Sequence, residues 1–247
     1  TGVQEHGAFG TVAFQLDGLP LDLATARQEH YPAPAQNPVV QAGTLQADLA
    51  RRDFTVNAMA LDLVAGELID LHHGLEDLES GELRFLHAGS VQDDPTRVIR
   101  AARYAARLGF QLAEESSKQI RSTIQNWPWA WHQGDPAMAA PPALATRLRM
   151  ELERLLEHEP WPQALDLLEQ WQALPLLDPQ LQNDPRRTQR LQWARRLGLP
   201  LMPTLLLGAA DPVAVAQRLQ IPGTQLQWLQ QCGELRDWLV DTPPPLK

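Results

Sequence analysis

Two arginines and a carboxylate stand together at Arg51-Arg52-Asp53, just ahead of the apolar stretch Phe54-Thr55-Val56-Asn57-Ala58. Guanidinium groups suit phosphate oxygens because a planar fork of donors meets two acceptors at once. The alternative for the same three residues is a surface ion pair capping a helix. A second cluster is Asp93-Asp94-Pro95-Thr96-Arg97-Val98-Ile99-Arg100-Ala101-Ala102-Arg103, with Arg107 one turn further on. At 100° per residue, Arg97, Arg100, Arg103 and Arg107 share one helical stripe about 120° wide. No acidic residue lies between Pro95 and Ala113. The stripe therefore repels itself unless it meets an anion or a row of carboxylates from elsewhere in this acidic chain. Asp94 and Arg97, one turn apart, can also read a base edge: the aspartate accepts from an exocyclic amino group while the arginine donates to a ring nitrogen or carbonyl.

Other candidates are weaker. Asp22 is predicted on the opposite strand face from Leu21 and Leu23, where it either faces water or serves as a metal-binding carboxylate. Two-metal phosphoryl transfer needs two or three such carboxylates converging from neighbouring strands, so Asp22 alone does not suffice. Arg186, Arg187, Arg190, Arg195 and Arg196 form a basic cluster that is either an RNA-phosphate contact or an ordinary solvated helix. His72, His73 and Cys232 lack partners at metal-ligand spacing and read as structural.

The elements that must carry these residues change character along the chain. Residues 8–16 and 19–26 alternate as strands around Asp17-Gly18, a strong hairpin turn. A loop with Pro32, Pro34 and Pro38 follows; helix and strand compete over residues 54–64, and 68–71 is a short further segment, so this region is mixed α and β. From Asp94, a good N-cap followed by Pro95, the pattern turns helical, and Gly109 closes the first helix. Further helices are predicted over residues 117–126, 144–157, 161–173, 186–197 and 212–219, with an irregular linker over 127–142 and no strand after residue 90.

With 247 residues, 44% of them hydrophobic, the chain has room for one large domain or a few small ones. A net charge of -9 argues against indiscriminate coating of nucleic acid, so any phosphate site must be a local basic patch. The longest apolar run, residues 199–210, contains two prolines and is too short for a bilayer span. A single cysteine points to a reducing, cytoplasmic setting.

Taken in order, residues 9–27 (FGTVAFQLDGLPLDLATAR), 49–63 (LARRDFTVNAMALDL), 68–86 (LIDLHHGLEDLESGELRFL) and 93–110 (DDPTRVIRAARYAARLGF) resemble the class II tRNA nucleotidyltransferase and bacterial poly(A) polymerase family. The resemblance is dense over about the first 115 residues and continues more weakly through 145–156 (ATRLRMELERLL). It implies an α+β fold: a partial, polymerase-β-like nucleotidyltransferase head with a mixed β-sheet over 1–88, a helical neck over 89–157 and an all-α, RNA-binding body over 158–247. It implies transfer of CMP or AMP from CTP or ATP to the 3' end of tRNA with Mg2+. Asp53 would contact the ribose 2'-hydroxyl, Arg51 or Arg52 would hold the triphosphate, and Asn57 would support that loop. Asp94 and Arg97 would read the base, with Arg100 and Arg103 nearby, and Asp22 would be the third head carboxylate and metal ligand. Arg186, Arg187 and Arg190 would touch RNA.

Asp93 stands where CCA-adding members carry glutamate, which leaves the choice among CTP, ATP and both open. The family's Gly-Gly turn and Asp-x-Asp pair are absent from this chain. The expectation is a fragment without the main metal-binding carboxylates, binding nucleotide weakly and turning over little on its own. A poly(A) polymerase using the same residues, or a non-catalytic RNA-binding relative, are the alternatives.

Overall fold

A computed structural model describes residues 4–6, 10–126 and 142–241. Asp17 and Gly18 take positive φ of 51° and 81°, which is what a two-residue hairpin turn requires. They join β2 (Thr11–Leu16) to β3 (Leu19–Ala24), antiparallel with Thr11 opposite Ala24, and β1 (Gln4–His6) pairs with the other edge of β2. The Pro-rich loop lies between β4 (Arg27–His30) and β5 (Val39–Ala42), an antiparallel pair. Thr44 then caps α1 (Leu45–Ala50), its hydroxyl accepting the Ala47 N–H at 3.2 Å.

The competition over residues 54–64 resolves into both outcomes. Thr55–Asn57 forms a 3-10 turn, and Met59–Leu61 forms β6, antiparallel to β7 (Leu68–Asp70). The Asp70 carboxylate accepts the N–H groups of His72, Gly74 and Leu75 at the start of α2 (Gly74–Ser80). Gly74 is needed there, because a Cβ would run into the Thr55 carbonyl. One expectation is corrected: a strand does follow residue 90. β9 (Gln111–Leu112) pairs in parallel with β8 (Glu82–Leu83), a two-residue match too short to show periodicity.

After α3 (Ser90–Asp93), Asp94 is extended and its Oδ1 accepts the Thr96 N–H at 3.2 Å and the Thr96 hydroxyl at 2.8 Å. Helix α4 (Thr96–Leu108) thus begins one residue later than an Asp94 cap would place it, with Pro95 in the cap position, and Gly109 at φ 72° ends it. Helix α5 (Glu114–Gln125) begins three residues before the predicted start, since two glutamates suit a first turn without adding apolar periodicity. Helices α6 (Pro142–His158), α7 (Trp161–Gln170), α8 (Arg187–Arg196) and α10 (Pro212–Arg218) match predicted segments. Helices α9 (Leu201–Leu206) and α11 (Gly223–Asp241) were not legible in the pattern: prolines interrupt the first, and glutamines break the stripe of the second. The predicted linker, Pro142 apart, lies outside the described residues.

The architecture is α+β. Phe54 stacks on Phe85 at 5.3 Å between centroids and meets Tyr104 edge-on at 5.6 Å. From there a single apolar cluster runs through Val98, Ile99 and Ala102 of α4, Leu148, Leu152 and Leu155 of α6 and Leu165 and Leu168 of α7 to Leu205 and Leu206. It crosses positions 88 and 157 without a break. Alanines 101, 102 and 105 are fully or almost fully buried, and α4 packs against α6 and α7.

Candidate functional site

Arg51 and Arg52 follow α1, and Asp48 on that helix orients both. Asp48 is 7% exposed. Its Oδ1 accepts the Arg27 N–H at 3.1 Å and Arg51 Nε and Nη2 at 3.1 and 2.7 Å, and its Oδ2 accepts Arg52 Nη2 at 3.2 Å. Glu29 on β4 takes Arg51 Nη1 at 3.0 Å. Burial works to raise the Asp48 pKa, but the hydrogen bonds from Arg51, the Arg27 N–H and Arg52 outweigh it and hold the carboxyl below the usual 3.8. A depressed folded-state pKa gives stability that is present above the unfolded value and lost as pH falls through the folded one. Asp48→Asn is therefore expected to lower stability at neutral pH by about 2 kcal/mol and to flatten the acid limb below about pH 4. Urea midpoints at neutral and acid pH measure both; parallel profiles for the two proteins would show that Asp48 does not carry the acid transition.

Asp53, only 9% exposed, is fixed at both oxygens. Oδ1 accepts the Phe54 N–H and Asn57 Nδ2, each at 2.9 Å, and Oδ2 pairs with Arg100 at 2.8 Å to Nε and 2.6 Å to Nη2. The arginine stripe of α4 is met by carboxylates, one of the two outcomes its self-repulsion required. Arg100 also reaches Glu151 at 3.4 Å; Arg103 binds Glu151 and, at 3.1 Å, Glu159; Arg107 binds Glu159 at 2.8 Å. Burial opposes the charge on Arg100, and Asp53 with Glu151 more than offsets it, raising its pKa above the ordinary arginine value. Arg97 is the exception. It is 5% exposed and donates to neutral groups: the Ser90 hydroxyl, the Ser90 carbonyl at 3.3 Å and the Arg51 carbonyl at 3.0 Å.

These groups surround a cavity of about 690 Å³, within the range of small-molecule sites. Of the residues singled out in the sequence, Arg51, Arg52, Asp53, Asn57, Asp94, Arg97 and Arg100 line it together. Arg103 does not; it sits behind Arg100 in the carboxylate network. Several lining residues escaped the sequence reading. Arg27 and Glu29 on β4 and Tyr31 just after it fall at a period of two, and Arg147, Glu151 and Arg154 fall at i, i+4 and i+7 on α6. Those two periodicities were the available signals. Arg147 binds the Ala35 carbonyl at 2.9 Å and lies 3.9 Å from Asp94, so it ties the Pro-rich loop to α6 beside Asp94. Burial first of all, then Asp94 and Glu29, pushes the Tyr31 hydroxyl up to about 12. It stays a neutral donor throughout the physiological range. The lining holds seven arginines against four carboxylates, a local positive excess in a chain of net charge -9.

Residues 1–84 match the poly(A) polymerase head domain family. The chain is 39% identical over 232 residues to a CC-adding tRNA nucleotidyltransferase of Deinococcus radiodurans, covering 87% of this chain and 55% of that protein. It is 34% identical over 181 residues to an A-adding tRNA nucleotidyltransferase of Halalkalibacterium halodurans, covering 70% and 40%. A CCA-adding enzyme in an apo form shares the fold at a TM-score of 0.74 and 26% identity, over 97% of this chain and 58% of that one. The chain belongs to the class II tRNA nucleotidyltransferase and poly(A) polymerase family. It spans about half the length of these relatives.

Two sets of residues singled out in the sequence stand apart from this cavity. Asp22 is exposed on β3 and does not line it. Among the described residues no group of three or more His, Cys, Asp or Glu side chains is placed to hold a metal, so the residues present do not fit a magnesium centre. On α8, Arg187 is 3% exposed and binds Asp166 at 3.1 Å and Glu169 at 2.9 Å. Arg190 binds Asp184 at 2.5 Å and the Thr204 carbonyl at 2.9 Å. Arg187 and Arg190 thus meet internal partners, and of the three arginines Arg186 is the exposed one. Among the described residues, no helix is long and apolar enough to cross a membrane.

Proposed function

We propose that this chain is the nucleotide-selecting part of a cytoplasmic enzyme that adds CMP or AMP to the 3' end of tRNA. The observation that carries this reading is the convergence, on one positively charged cavity, of Asp94 and Arg97, of Asp53 and of Arg51, Arg52 and Arg100. The reaction is in-line attack of the terminal RNA 3'-hydroxyl on the nucleotide α-phosphate with departure of pyrophosphate. This chain's part in it is positioning. The Asp94 carboxylate accepts from the exocyclic amino group of cytosine or adenine while Arg97 donates to the neighbouring ring atom. Asp53 takes the ribose 2'-hydroxyl, and Arg51 and Arg52, held apart by Asp48, present guanidiniums to the phosphates. Magnesium supports such transfers in general, but the residues here do not form its site, and no step is assigned to it.

Calorimetric titration tests the reading. CTP and ATP are expected to bind in preference to UTP and GTP, and ribonucleotides in preference to 2'-deoxyribonucleotides. Equal affinity for all four bases would overturn it. With tRNA and labelled CTP or ATP, this chain is expected to incorporate little label, since among the described residues no carboxylate cluster is placed to hold a metal; long A tails on unrelated RNA would instead mark a poly(A) polymerase.

A further inference from the structure

We propose that Ser90 is a positioning residue for base selection, fixing Arg97 and Asp94 relative to each other, and that Gln119 of α5 holds the turn that carries Ser90. This role rests on the base reading proposed above for Asp94 and Arg97. It adds two residues that do not line the cavity themselves.

Ser90 is fully buried, and each of its polar groups is engaged. Its N–H donates to the His87 carbonyl at 3.1 Å. Its carbonyl accepts the Asp94 N–H at 3.2 Å and Arg97 Nη1 at 3.3 Å, and its hydroxyl accepts the same Nη1. One residue therefore binds both members of the pair. The Arg51 carbonyl takes Arg97 Nη2 at 3.0 Å. A guanidinium carries five N–H donors. These bonds use Nη1 and one hydrogen of Nη2, and Nε with the second Nη2 hydrogen is left for a base edge.

The neutrality of these acceptors sets Arg97 apart from its neighbours on α4. Carboxylates hold Arg100, Arg103 and Arg107, and they cancel charge as they orient it. A hydroxyl and two carbonyls orient Arg97 and leave its charge to the cavity it lines. Gln119 then secures the turn on both sides of Ser90: its Nε2 donates to the His87 carbonyl at 3.0 Å, and its Oε1 accepts the Val91 N–H at 2.8 Å. A contact that must discriminate by fractions of an ångström needs this kind of supporting layer behind it.

Calorimetric titration of the whole chain with each of the four ribonucleotides tests this. Ser90→Ala is expected to cut the preference for CTP over UTP, and for ATP over GTP, about fivefold, part of what a whole base-edge contact carries. The loss should fall on CTP and ATP, with UTP and GTP bound as before. Ser90→Thr, which keeps the hydroxyl, is expected to retain the preference. Gln119→Met is expected to lower it in the same direction by less, from outside the cavity and with circular dichroism unchanged. A preference unmoved in Ser90→Ala and Gln119→Met but collapsed in Asp94→Ala would overturn the role of Ser90 and leave base selection standing. An equal fall in affinity for all four nucleotides in Ser90→Ala would make Ser90 a structural residue only and overturn its role as well. No preference in the unaltered chain would overturn both the role and the base reading.

Discussion

Replacing Glu151 by glutamine is expected to lower the unfolding free energy by about 3 kcal/mol, the lower end of the cost of breaking a buried ion pair. Glu151 is 6% exposed, and its two oxygens serve Arg100, Arg103 and Arg154 together. Glutamine keeps the shape and one acceptor oxygen but turns an amide donor toward three guanidiniums, leaving them with Asp53 and Glu159 as their remaining anions. The lower end applies because Arg100 and Arg154 keep 30% and 47% of their side-chain exposure, so solvent screens part of the loss. Urea denaturation reads it as a lower midpoint at unchanged slope. A loss below about 1 kcal/mol would mean that the network is solvated rather than structural. Because Arg100 also holds Asp53, the same change should weaken CTP binding, and ribose discrimination should fall with it.

Asp94→Ala should cut the preference for CTP over UTP, or for ATP over GTP, by ten- to a hundredfold, since one base-edge contact is worth about 1–3 kcal/mol. Asp94 is the better probe of the pair. Its carboxylate caps the first turn of α4 through Thr96 and its loss costs stability only on the scale of one cap, about 1 kcal/mol. Removing Arg97 would also strip the Ser90 hydroxyl and the Arg51 carbonyl of their partner and open a hole in a buried region. The ratio of dissociation constants, measured for all four ribonucleotides, decides the matter. An unaltered ratio in Asp94→Ala would remove the pair from base selection.

Local chemistry made much of this protein legible before its fold was known. Asp17-Gly18 specifies a two-residue hairpin because both positions tolerate positive φ, and Pro95 with Gly109 brackets α4 because one residue cannot extend a helix backward and the other closes it in the left-handed region. The helical spacing of Arg97, Arg100, Arg103 and Arg107 announced a charged stripe, and seven of the nucleotide-contact candidates do line one cavity. Short elements stayed hidden: a two-residue parallel bridge between β8 and β9 has no period to read, and α2 is organised by Asp70 through hydrogen bonds at a helix start, not by apolar spacing.

What the arginines do depends on partners far away in the chain. Glu151 and Glu159 lie about fifty residues beyond the stripe they neutralise, and Arg187 finds Asp166 and Glu169 only because α7 and the segment before α8 pack together. A sequence shows how many cations there are and on which helical face. It does not show which carboxylates folding will bring within about 3 Å, and at that range an ion pair is strong where at 10 Å in water it is screened away. The same distance dependence separates Arg97, buried among neutral acceptors beside the cavity, from Arg103, an identical side chain two turns along that is spent on holding the helices together.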